Sequence, residues 1–90
     1  MAERQATVAS SSGLHARPAK LFVQAVQQTG VPVTISTAGG PDQNAGSILT
    51  LMGLGATQGT VVTLKAEGEG AEEALDTLVE FLETDHDAQV

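Results

Sequence analysis

Apolar residues along this chain alternate with polar ones, then recur every three or four positions, then alternate again, and each change of period marks a predicted element. Gln5-Ala6-Thr7-Val8-Ala9 alternates weakly and reads as a first strand. It stops at Ser10-Ser11-Ser12-Gly13, a composition suited to a loop. Beyond it Ala19, Phe22, Val23 and Val26 repeat at helical spacing, leaving Gln24, Gln27 and Gln28 for water, and Gly30 is the expected stop. Pro18 belongs in a first turn, where its missing N–H would have no intrahelical partner, so this helix should begin near His15 or Ala16. Val31, Val33 and Ile35 then alternate with Pro32, Thr34 and Ser36 in a second strand, followed by a turn at Ala38-Gly39-Gly40-Pro41-Asp42 and a short third strand around Gln43 to Ala45.

Ser47 is a good N-cap for a short helix from Ile48 to about Met52, closed by Gly53 and Gly55. Thr60 to Ala66 is a fourth strand, with Val62, Leu64 and Ala66 on one face and Val61, Thr63 and Lys65 on the other. After Gly68-Glu69-Gly70 a last helix runs from Ala71 to about Glu83 and buries Ala71, Ala74, Leu75, Leu78 and Leu82. Glu72 and Glu73 in its first turn complement the helix dipole. The order is βαββαβα. One-sided strands with amphipathic helices imply an α+β domain of two layers, an antiparallel sheet covered on one side and showing Thr and Ser on the other.

With 90 residues there is room for one core, so residues 1–90 are expected to form a single domain. The only aromatic residues are two Phe, and the core must therefore be built from Val, Leu, Ile and Ala. No Cys is present, which removes disulfides and thiolate metal sites and fits a reducing compartment. Met1-Ala2-Glu3-Arg4 is unlike a signal peptide and no apolar run could span a bilayer, so the expected setting is the cytoplasm, with no insertion into membrane. A net charge of −7 argues against nucleic acid as a partner. Nine of the eleven acids lie between Glu67 and Asp87, whereas Arg4, Arg17 and Lys20 sit near the start, where an anion could be tolerated.

Candidate chemistry is sparse. His15 and His86 are too few and too far apart to make a metal site, and no third member completes a Ser-His-Asp arrangement. His86 is most simply a solvated tail residue. His15 differs, because Pro18 sets it at a helix start, where free backbone N–H groups and the positive end of the dipole favour an anion. That field, with Arg17 two residues on, is expected to lower the pKa of His15 and leave a neutral, nucleophilic ring. A phosphoryl group placed on it would gain the N–H donors, the dipole and Arg17 as partners. An N-capping histidine fits the same position.

Gly13-Leu14-His15-Ala16-Arg17-Pro18-Ala19 resembles the active-site signature of HPr, the histidine-containing phosphocarrier family of the phosphoenolpyruvate-dependent sugar phosphotransferase system. Ser47-Ile48 is similar to the family's regulatory-serine segment, and Gln58-Gly59-Thr60-Val61-Val62-Thr63 with Ala66-Glu67-Gly68 matches around the fourth strand. The resemblance implies an open-faced sandwich of four antiparallel strands with three helices on one face. It also implies a carrier cycle rather than an enzyme. Enzyme I would pass a phosphoryl group from phosphoenolpyruvate to Nδ1 of His15, and the charged protein would donate it to IIA proteins or domains of sugar permeases. Ser12 and the Ala16 N–H would help bind the phosphoryl oxygens, and Arg17 would neutralise charge during transfer. Neither metal nor other cofactor is implied, and the working unit would be a monomer.

Some positions depart from the pattern. Gln24, Gln27 and Gly46 stand where many relatives carry Lys, so steering toward an acidic partner should be weaker. The chain also continues past Glu83 to Val90, which leaves open the carboxylate that ends some relatives near the active-site Arg. Ser47 is read first as a cap. It is equally the position at which a kinase, if one exists, would place a regulatory phosphate. In so short a helix Ile48, Leu49, Leu51 and Met52 cannot all face the core unless the turn is irregular. Ile48, Leu49 and Met52 are thus expected to be exposed beside His15, forming a docking patch with Ala16 and Arg17 at the starts of the first two helices, with Leu51 kept for the core. Two other readings stay open, a carrier of a regulatory phosphotransferase branch that moves no sugar and a small ligand-binding regulatory α+β domain.

Overall fold

The computed structural model describes residues 2–9, 16–37, 39–55 and 57–84, together with the backbone but not the side chains of residues 16–18. Its elements follow the predicted order: β1 (Ala2–Thr7), α1 (Ala16–Thr29), β2 (Val33–Thr37), β3 (Gln43–Asn44), α2 (Ile48–Gly53), β4 (Val61–Ala66) and α3 (Ala71–Leu82). The strands form one antiparallel sheet in the order β1-β4-β2-β3.

Side-chain alternation decides which face of the sheet is covered. Ala6 of β1, Val33 and Ile35 of β2, and Val62, Leu64 and Ala66 of β4 are all buried in one cluster with Ala19, Phe22 and Val26 of α1, Leu51 of α2, and Leu75, Leu78 and Leu82 of α3. Of the residues of opposite parity, Glu3, Gln5, Thr7 and Val61 are exposed and Thr34, Thr63 and Lys65 half-buried. The fold is therefore an open-faced sandwich of four strands under three helices. The two Phe residues meet inside the helix layer, Phe22 of α1 lying 5.8 Å from Phe81 of α3 between ring centroids. No periodicity argument pairs them.

Several boundaries move, each for a local reason. The predicted first strand began at Gln5; the observed one starts at Ala2, opposite Ala66, and Arg4 faces the helix layer. Its charge is met there by Asp76 at 3.1 Å and Glu72 at 3.9 Å on α3. Arg4 is thus drawn toward α3 rather than left free for an anion, a correction to the reading from charge distribution. The second strand starts at Val33, not Val31. Gly30 turns left-handed at φ +73°, the Thr29 hydroxyl accepts the Val31 N–H at 3.3 Å, and Pro32 has no N–H to give, so the ladder cannot begin earlier. Val23 is only partly buried against the core. Ser36, expected to be exposed, is 7% exposed, since it lies in a central strand opposite Thr63. The second helix includes Gly53, and the left-handed residue beyond it is Gly55 at φ +68°. Among the described residues no helix is long and apolar enough to cross a membrane.

Candidate functional site

The described part of α1 starts at Ala16, immediately after His15 in the sequence, and Pro18 is its third residue. Pro18 therefore occupies the first turn, the one part of a helix where its missing N–H is harmless. No acidic residue occupies that turn. The start of α1 is thus a helix N-terminus whose dipole is not neutralised by a carboxylate from its own first residues. His15 and Ser12 themselves, like His86, lie outside the described residues, as does the side chain of Arg17.

The strand end that feeds this region is held from two directions. Ala9 donates its N–H to Leu82 O at 2.9 Å, and its carbonyl accepts from Gln58 Nε2 at 3.1 Å. Thr7 N–H points to Glu83 Oε2 at 3.4 Å. The end of α3 thereby caps the free edge of β1, and the Glu83 carboxylate is engaged with a main-chain donor of that strand. Sequence reasoning assigned Gln58 no task, and the only sign of one was its place in a motif with Gly59 and Thr60.

Ser47 is the N-cap of α2, with extended backbone (φ −115°, ψ 122°) and a hydroxyl accepting from Thr50 N–H at 3.4 Å. Of the four apolar residues that follow, Leu51 is fully buried, whereas Ile48, Leu49 and Met52 are 37%, 80% and 42% exposed. The residue before this cap lies against α1, since a Cβ placed on Gly46 would stand 3.9 Å from Val26 Cγ1. The surface depressions lined by Ala2, Glu67 and Glu72 and by Ala25, Thr29 and Glu73 lie where α1 ends and α3 begins, at the other end of both helices.

Residues 2–84 match the family model described as the PTS HPr component phosphorylation site. The chain belongs to the HPr family. It is accordingly a phosphocarrier of the phosphotransferase system. It is 50% identical to the phosphocarrier protein HPr of Streptomyces coelicolor over 82 residues, covering 91% of this chain and 88% of that one. The HPr-like protein Crh of Bacillus subtilis is 40% identical, covering 92% and 96% of the two chains. Among solved structures, HPr-C-His from Thermoanaerobacter tengcongensis superposes with a TM-score of 0.85 at 41% identity, covering 92% of each chain. The HPr fold of these relatives is thus the open-faced sandwich described above.

Ser47 offers a check on cap and interface together. Ser47→Ala should lose roughly 0.5–2 kcal/mol of stability, as removal of an N-cap does, while accepting phosphate normally. Ser47→Asp should melt no lower than the parent, because a carboxylate at this position still caps and complements the dipole. The same charge beside the exposed side chains of α2 should slow acceptance of phosphate from a partner that docks there. Thermal melts and transfer rates of the two variants measure both effects, and equal transfer by Ser47→Asp and the parent would place Ser47 outside the interface.

Proposed function

We propose that His15 is the phosphoryl acceptor, charged through Nδ1 by phospho-enzyme I and discharged to IIA proteins or domains of sugar permeases. The observation that carries this reading is the start of α1 at Ala16, directly after His15, in a chain of the HPr family. A phosphoryl group on His15 would stand at backbone N–H groups that have no intrahelical partner, Ala16 among them, in the favourable field of the helix dipole. Ser12 supplies a further donor, and the Arg17 guanidinium offsets the charge of the transferring group. The protein acts as a carrier, not as a catalyst with turnover of its own, and it works as a single-domain monomer. The absence of Cys agrees with a cytoplasmic setting.

Partners dock on Ile48, Leu49 and Met52, with Ala16 and Arg17 at the edge nearer the transferred group. The support for this is exposure: three large apolar side chains on one six-residue helix are open to water while Leu51 between them is buried. Leu49→Glu should raise the KM of enzyme I for this chain about tenfold, the loss of one well-packed interface residue, with the melting curve unchanged. An unaltered KM for both Leu49→Glu and Met52→Glu would move the docking surface elsewhere.

Similarity to an HPr-like protein named Crh keeps a second reading in view, a carrier in a regulatory branch that moves no sugar. A transfer assay separates the two. The chain is charged with enzyme I and phosphoenolpyruvate and then offered to purified IIA proteins. Loss of label from the chain to a IIA acceptor supports the transport reading, and retention of label with every acceptor favours the regulatory one.

A further inference from the structure

The turn before β4 grips the end of β1 through a side chain as well as through the ladder. Thr60 N–H donates to Thr57 O at 3.0 Å and Thr57 N–H to Thr60 Oγ1 at 3.1 Å, which closes the turn on itself. Gly59 stands at φ +91°, a conformation L side chains rarely adopt, and its N–H reaches Val8 O at 2.8 Å. Val8 N–H in return donates to Thr60 O at 2.9 Å. This reciprocal pair fixes the turn against the strand. From that platform Gln58, itself exposed, sends Nε2 to Ala9 O at 3.1 Å.

Ala9 is where the described strand end gives way to the segment that carries Ser12 and His15, and Ala16 is where the described chain resumes as α1. One end of that six-residue segment is set by a 14-residue helix. The other is set by Ala9, whose N–H is taken by Leu82 O and whose carbonyl is taken by the Gln58 amide. Rotation of the Ala9–Ser10 peptide would break the Gln58 bond, so this side chain restrains the direction in which the main chain enters the segment. We propose that Gln58 is a positioning residue for phosphoryl transfer, holding the Ala9 carbonyl so that the segment bearing His15 is presented for attack. The inference rests on His15 being the acceptor. Reaction rates depend steeply on such geometry, whereas an exposed hydrogen bond adds little to global stability, because water replaces the lost partner.

The test measures phosphorylation by enzyme I for the parent, Gln58→Met, Gln58→Glu, Gln58→Lys and His15→Ala. Met keeps the length of the side chain without a donor, Glu turns an acceptor toward the Ala9 carbonyl, and Lys retains an N–H donor of similar reach. Gln58→Met and Gln58→Glu should lower kcat roughly fivefold, which is about 1 kcal/mol at 1.36 kcal/mol per decade. The KM should stay within about twofold, melting within about 5 °C of the parent, and Gln58→Lys should recover most of the lost rate. An unchanged kcat in the Met and Glu variants overturns the proposal. So does a raised KM at constant kcat, which would make Gln58 a contact for the partner, and so does a Lys variant as slow as the Met one. His15→Ala separates the two levels: if it takes no label, the acceptor reading stands whatever Gln58 does, and if it is labelled, both fall together.

Discussion

His15→Ala should accept no phosphoryl group from enzyme I, while His86→Ala is charged like the parent. His15 supplies the one imidazole that the sequence sets at the start of α1, and its ring nitrogen is the nucleophile that this reading requires. Stability should stay within roughly 1 kcal/mol of the parent, the range typical of surface and cap substitutions. Labelled phosphoenolpyruvate with catalytic enzyme I measures the first effect, and a thermal melt measures the second. A variant that fails to fold would favour a capping role for the histidine over a chemical one.

Arg17→Ala should slow phosphoryl acceptance about a hundredfold, the scale on which removing one preorganised donor to developing charge acts. Arg17→Lys should recover only part of that loss, because an ammonium cannot reproduce the planar, bidentate contact of a guanidinium with phosphate. The stability effect should run the other way. Arg17 is the second residue of α1, in a first turn with no acidic residue, where a cation opposes the positive end of the dipole. Its removal should leave the melting temperature equal to or slightly above that of the parent. On this account the Arg17 charge serves the phosphoryl group and not the fold. Parent-like rates in both variants would reduce Arg17 to a surface residue.

The order of elements was legible because each buried face has a clear period: 3.6 in α1 and α3, 2 in β4. Pro18 located the start of α1 to within a residue, since proline is tolerated at so few helical positions. Leu51 could be separated from Ile48, Leu49 and Met52 because a capped helix of six residues has one inward face. The first strand was read short because Glu3, Arg4 and Gln5 look like solvent residues. Arg4 instead faces the helices, and only the tertiary fold supplies Asp76 and Glu72 to meet it. Gln58 and Ala9 are 49 residues apart and Thr7 and Glu83 are 76 apart, so their hydrogen bonds have no local signature.

The central claim concerns one atom, and mapping the charged protein tests it most directly. The parent chain is phosphorylated with enzyme I and phosphoenolpyruvate, kept alkaline, digested, and its peptides analysed by mass spectrometry and 31P NMR. The account predicts one phosphoryl group, on the peptide containing His15, as an Nδ1 phosphoramidate that survives alkali and is lost in acid, where protonation of the ring makes it a better leaving group. Phosphate found instead on His86, or on Ser47 with His15 unmodified, would contradict it.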